Sequence, residues 1–220
     1  MVAKSIQQLD REIIKCNKCP RLVKWRQEVA IVKRKSYENE KYWGRPVPGY
    51  GDDKAKTLIL GLAPGAHGAN RTGRIFTGDS SGDWLYKALF RNGVAKIETS
   101  KSIDDGQRLI GVRISCAVRC VPPENKPSTT ERKNCASLLD QELDLLAPGL
   151  NSILALGNLA WNSAITSLRD IGYLIPKPAP KFAHSASFKA IKDGKVIVVV
   201  GSYHPSQQNT FTRKLTEKML

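Results

Sequence analysis

Three stretches of the 220-residue chain gather side chains of the kinds from which reactive sites are built. The first is Gly61-Leu-Ala-Pro-Gly-Ala-His-Gly-Ala-Asn70, with Arg71, Arg74, Phe76 and Asp79 close behind it. The second is Arg119-Cys-Val-Pro-Pro-Glu-Asn-Lys126, and the third is Ser202-Tyr-His-Pro-Ser206, followed by Gln207 and Gln208. Each candidate also has an ordinary role. Asp79-Ser-Ser-Gly82 has the composition of a helix N-cap, and Asn125 between prolines is a common turn residue. His204 before Pro205 suits a loop, Phe76 a core, and Arg71 and Arg74 solvated charge. A carboxylate at a helix N-terminus has its pKa depressed and stays ionised, the state expected of Asp79.

Cysteines form the second group. Cys16-Asn-Lys-Cys19 is a CxxC pair, and Cys120 and Cys135 stand far along the chain from it. Four thiolates from two distant regions suit a tetrahedral zinc or a [4Fe–4S] cluster, and the spacing alone leaves open either of these or no metal. Cys116, inside an apolar run, reads as a small buried hydrophobe.

The elements that must position these groups follow from the apolar pattern. Short aliphatic runs at 57–62, 109–118, 152–156 and 196–201 read as strands. Helical spacing covers 81–91, with Trp84, Leu85, Ala88 and Leu89 on one face, and 158–168. Ser128-Thr-Thr-Glu131 is a capping-box signature for a helix running towards Leu146, and a weaker helical pattern covers 210–220. Alternating strands and helices predict an α/β domain with a mostly parallel four-stranded sheet covered on both faces. Residues 1–50 read as a helix, a Cys loop and an irregular basic segment wrapped on the same core, so that 1–220 form one domain. Ligands of open α/β sheets sit at the carboxyl ends of the strands, and all three unusual stretches directly follow a predicted strand.

The composition, 41% hydrophobic and 25% charged, is that of a globular protein able to bury a core. No apolar run is long enough for a membrane span, and the N-terminus lacks a signal core, so the expected compartment is the cytoplasm. Thirty-five Lys and Arg against 20 Asp and Glu leave a net charge of +15, which favours a polyanionic partner. Residues 1–50 carry +7 of it and residues 177–220 carry +6, so the excess is terminal.

These motifs resemble those of the type 5 uracil-DNA glycosylases. The match to their first motif spans residues 61–79, and that to their last spans 202–210. Cys16-x-x-Cys19-Pro-Arg-Leu-Val and Cys120-x-Pro-Pro-x-Asn-Lys-Pro127 resemble their cluster-binding segments, all in collinear order. The resemblance implies a three-layer α/β/α fold and a [4Fe–4S] cluster on Cys16, Cys19, Cys120 and Cys135, with Cys116 free. It implies excision of uracil and other deaminated bases, such as hypoxanthine and xanthine, from double- or single-stranded DNA. Asp79, Asn125 and His204 match the catalytic positions, and Phe76 the base-stacking aromatic. Related branches carry a polar, water-activating residue within the Gly-x-x-Pro segment; Leu62 and Ala63 stand there in this chain, which shifts the base role to Asp79.

Such chemistry requires the nucleotide to be extruded, the base stacked, its departing anion stabilised and water delivered to the sugar. Backbone amides at Gly61 and Gly65 can approach the base, His204 can donate to its oxygen, and Asn125 can place the water. Gln207 and Gln208 are candidates for the wedge that fills the vacated stack, and Arg71, Arg74 and Lys126 for contacts to flanking phosphates. No lysine in the matched motifs offers a Schiff-base nucleophile. The rival class is a basic metal-containing nucleic-acid-binding protein without catalysis. A replication clamp as partner has no support in the sequence.

Overall fold

The computed structural model describes residues 2–220. A six-stranded sheet runs in the order β1-β3-β2-β4-β6-β5. Its strands are β1 (Tyr50–Gly51), β2 (Thr57–Gly61), β3 (Val112–Cys116), β4 (Ser152–Leu156), β5 (Ser187–Lys192) and β6 (Lys195–Ser202). The four inner strands β3, β2, β4 and β6 are mutually parallel, and they are the four apolar runs of the sequence. Both edges, β1 and β5, are antiparallel additions, so the expected count of four becomes six. β5 alternates buried Phe188 and Ala190 with exposed neighbours, as a one-sided edge strand should. It turns into β6 through Asp193-Gly194, both at positive φ, the geometry of a tight hairpin.

Side chains alternate across the sheet with the period of two that extended backbone imposes. Leu58, Leu60, Ile153, Ala155, Ile197 and Val199 face one layer. There they pack against α5 (Thr129–Leu146) and α6 (Asn158–Asp170) through Leu139, Leu143, Trp161 and Leu168. Ile59, Ile114 and Leu156 face the other layer, against Leu85, Tyr86 and Leu89 of α4 (Ser80–Arg91). Helices on both faces make three layers. Cys116 is buried in the second of these cores, where burial pushes its thiol up to about 12.

The N-terminal segment folds as α1 (Ile6–Ile14) and α2 (Pro20–Val32), the latter standing where the sequence pattern predicts only an irregular basic stretch. Pro20 occupies its first turn, where a missing N–H costs nothing. α1 lays Leu9 and Ile13 on Leu138 of α5. Ser128 caps α5 reciprocally with Glu131, as the motif predicts. The helix expected over 210–220 is not formed; α7 (Gln207–Phe211) starts earlier, capped by Ser206, and the rest of the tail is turns. A short helix, α3 (Ala69–Thr72), lies within the loop after β2. Among the described residues no helix is long and apolar enough to cross a membrane.

β3 departs from the apolar rule. Arg113 and Ser115 point into the α5 layer, where Glu142 is wholly buried. Arg113 Nε donates to Glu142 Oε1 at 2.6 Å and its Nη2 to Asp10 of α1 at 2.7 Å. Ser115 Oγ donates to Glu142 Oε2 at 2.6 Å, and Arg119 pairs with the same oxygen. Burial alone would raise the Glu142 pKa, but the Arg119 and Arg113 guanidiniums outweigh it and hold the carboxyl at about 2.

Candidate active site

The loops after β2, β3 and β6 leave the same carboxyl edge of the sheet and close around a pocket of about 710 Å³. Asp79, Asn125, His204, Phe76 and Gly65 all line it, as do Leu62 and Ala63.

Asp79 is the N-cap of α4, accepting from the Gly82 N–H at 2.9 Å through Oδ1. Its other oxygen lies against the loop after β2. A Cβ on Gly68 would fall 1.9 Å from Oδ2, so only glycine lets the carboxylate settle there. This enclosure reverses the expected electrostatics. Desolvation is the largest influence and raises the Asp79 pKa, ahead of the lowering by the Gly82 N–H. The depressed value expected from a helix N-terminus alone is therefore corrected: the cap is present, but burial wins.

Phe76 takes a left-handed backbone conformation, φ 50°, at the tight bend that precedes Gly78. The bend turns its ring down onto Gly61, where a Cβ would come within 3.0 Å of Cε2. Gly61 thus serves the site by lying flat beneath the ring. Phe76 and His204 are tilted by 32° with centroids 5.6 Å apart, forming one aromatic wall. Burial lowers the His204 pKa to about 4, so its imidazole is neutral at neutral pH. The carbonyl of His204 accepts from Asn209 Nδ2 at 2.8 Å, which ties the loop to α7.

Asn125 ends a short 3-10 turn (Pro123–Asn125), also at positive φ, and is exposed at the pocket rim. Lys126 beside it is exposed, with Glu124 Oε2 3.4 Å away. Gln207 and Gln208 open α7 on the surface, and Gln207 lines the pocket.

Arg71 and Arg74 are corrected. Arg74 is only 2% exposed and bonds Asp105, Ser100 and Thr77. Arg71 is buried under Tyr37, 3.9 Å from its ring, and donates to Glu40 and to the carbonyls of His67 and Gly78. Their guanidiniums brace the loop from within, where these ion pairs and hydrogen bonds already engage them. The cations and rings that do line the pocket come partly from the N-terminal segment, which the matched motifs do not include: Arg34 and Tyr37. Arg34 stands in a run of charged residues without local pattern, so only the fold reveals its place. His67, assigned no chemistry from sequence, also lines the pocket, its Nδ1 3.0 Å from the Tyr42 hydroxyl.

Cys16, Cys19, Cys120 and Cys135 come together around a second, small cavity between α2, α5 and the loop after β3. Arg26 Nη1 donates to Cys120 Sγ at 3.0 Å and Asn134 Nδ2 lies 3.4 Å from Cys19 Sγ. Among the described residues no three His, Cys, Asp or Glu side chains are arranged to hold a metal ion.

Fold and pocket define an α/β protein with a small-molecule-sized site at the carboxyl edge of a parallel sheet. A profile of the Uracil DNA glycosylase superfamily matches residues 48–220. The sequence is 47% identical over 218 residues to the Type-5 uracil-DNA glycosylase of Mycobacterium tuberculosis, covering 99% of this chain and 79% of that protein. It is 43% identical over 216 residues to the Type-5 uracil-DNA glycosylase of Thermus thermophilus, covering 96% and 94% of the two chains. The Type-5 uracil-DNA glycosylase of Pyrobaculum aerophilum is 42% identical over 213 residues, 94% of this chain and 85% of that one. The chain belongs to the uracil-DNA glycosylase superfamily and, within it, to the type 5 branch, and so to a class of glycosyl hydrolases.

Proposed function

We propose that the protein excises uracil from DNA by flipping the nucleotide into the pocket and hydrolysing its N-glycosidic bond with water. The observation that supports this most is the convergence of three strand-end loops on one cavity with Asp79, Asn125, Phe76 and His204 in its wall. Bond cleavage leaves negative charge on the base and positive charge on the sugar. A neutral His204 donates a hydrogen bond to the base oxygen that gains charge, while the Phe76 ring offers the base a stacking face. Asp79, as carboxylate, stabilises the sugar cation and takes a proton from the attacking water; its raised pKa makes it the stronger base. Asn125 at the rim orients that water.

The apolar Leu62 and Ala63 in the lining make no base-specific hydrogen bond through their side chains, which supports a wider range that includes hypoxanthine and xanthine. Exposed Lys126 and Arg34 are suited to the phosphates flanking the flipped nucleotide in duplex or single-stranded DNA, and Gln207 to the vacated stack. Such an enzyme works where the chromosome is, in the cytoplasm at the nucleoid.

Cys16, Cys19, Cys120 and Cys135 are proposed to hold a [4Fe–4S] cluster. Four thiols drawn from separate elements around one cavity supply the ligands such a centre needs, one thiolate to each iron. Bound there, the cluster supplies a staple between α2, the loop after β3 and α5.

The test is incubation with oligonucleotides each bearing one uracil, hypoxanthine or xanthine, followed by alkaline scission of abasic sites. Scission at each lesion is expected; DNA binding without scission at any of them contradicts the proposal.

A further inference from the structure

Two buried arginines stand at the four-cysteine cavity with too few partners. Arg26 is 3% exposed, and among the described residues no carboxylate lies within ion-pair distance of it. Its guanidinium reaches the Asn17 side chain at 2.6 Å, the Cys16 carbonyl at 3.2 Å and Cys120 Sγ at 3.0 Å, while Nε has no partner. Arg119, 1% exposed, uses Nη2 on Glu142 and leaves Nε and Nη1 without partners. Glu142 is shared with Arg113, to which Asp10 and Asp53 also pair, so Arg119 has a counter-charge and lacks only acceptors, whereas Arg26 lacks both. Both arginines wall the cavity.

A guanidinium does not discharge itself by losing a proton, and burying one without counter-charge is strongly unfavourable. The cavity must therefore supply negative charge. Four thiols supply none. Four thiolates on a doubly positive [4Fe–4S] core leave two negative charges to answer the unpaired Arg26, and its sulfurs are acceptors for Arg26 Nε and for Arg119 Nε and Nη1.

We propose that Arg26 is the counter-ion of the cysteine centre and that Arg26 and Arg119 are its N–H donors. The inference rests on the cluster assignment above and adds positioning residues to it. Arg119 also couples the centre to the buried Glu142–Arg113–Asp10 chain, and so to α1. Cations and N–H donors at the sulfurs favour the more negative, reduced state, so they raise the reduction potential of the centre.

The test uses the full chain purified anaerobically as wild type, Arg26→Lys, Arg26→Gln, Arg119→Lys and Arg119→Gln. Iron and acid-labile sulfide per chain, the potential by voltammetry and the rate at which a chelator bleaches the visible absorbance are measured. The lysine variants should stay near wild type. The glutamine variants should show a lower potential and roughly tenfold faster bleaching, or lose iron that the lysine variants retain. Glutamine variants with wild-type potential and bleaching rate overturn the inference, as does equal loss of the cluster from lysine and glutamine variants, which would mean that packing alone matters. A folded, colourless wild type carrying zinc instead of iron overturns the cluster assignment itself, and this inference with it.

Discussion

At the scale of the residue, Asp79 shows how one side chain serves fold and chemistry with opposing demands. It caps α4, yet desolvation raises its pKa, so its ionised form costs stability at neutral pH. Asn caps a helix as well as Asp does. Asp79→Asn is therefore expected to raise the melting temperature by roughly 2–4 °C while abolishing most base release, a divergence that calorimetry and a turnover assay on the same sample would show. Because the carboxylate must be ionised to act, kcat/KM should fall on the acid side at a pH above the ordinary Asp value of 3.8; a profile flat down to that value contradicts the role. His204→Ala removes one donor from a developing anion, and a loss of about 10²–10³ in kcat is expected with DNA binding retained. His204 was legible because it sits just beyond the end of β6, and Asp79 because residues 61–79 resemble the first motif of the family. The burial of Arg71 and Arg74 was not, because Tyr37, Glu40, Ser100 and Asp105, which enclose them, are distant in sequence.

At the scale of the element, legibility followed the strength of the local signal. Inner strands β2, β4 and β6 are written as largely apolar runs, β3 as one interrupted by Arg113 and Ser115, and α5 announces itself with a capping box. β1 has only two residues, and β5 interleaves lysines with its two buried side chains, so neither forms a run. α2 is hidden in the sequence because its buried positions Leu22, Arg26 and Val29 include a charge, the arginine that faces the cysteine cavity. Arg113 and Arg119 likewise break the apolar rule to hold Glu142 between sheet and α5. Since Glu142 is held at about 2 against an unperturbed 4.5, its contribution to stability is complete above about pH 4.5 and is lost as pH falls towards 2. Glu142→Gln leaves the buried Arg119 without a carboxylate and Arg113 with only Asp10 and Asp53, and should cost about 3–5 kcal/mol in denaturant titrations, while flattening the acid limb of stability against pH. An unchanged acid limb would remove Glu142 from that account.

At the scale of the whole molecule, the chain brings parts of its first and last segments to one pocket. Arg34 from the first segment and Gln207 from the last line the same pocket, and Lys214 lies 4.7 Å over the Tyr203 ring beside it. The sequence showed two terminal excesses of charge but not which of their residues reach the site; the packing brings Arg34 there. If about five phosphates are neutralised by this face, affinity for a uracil-containing duplex should fall roughly 10²–10³-fold between 50 and 200 mM salt, and less steeply after Arg34→Ala. Fluorescence anisotropy across that range reads the slope; one that does not change with salt contradicts a phosphate-tracking surface. The claim on which the rest depends is that Asp79 directs water at the sugar of a nucleotide held in the pocket. Single-turnover release of free uracil from a duplex with one deoxyuridine, compared between wild type and Asp79→Asn at equal DNA occupancy, tests it most directly. The account predicts a rate at least about 10²-fold lower for the variant; equal rates would contradict it.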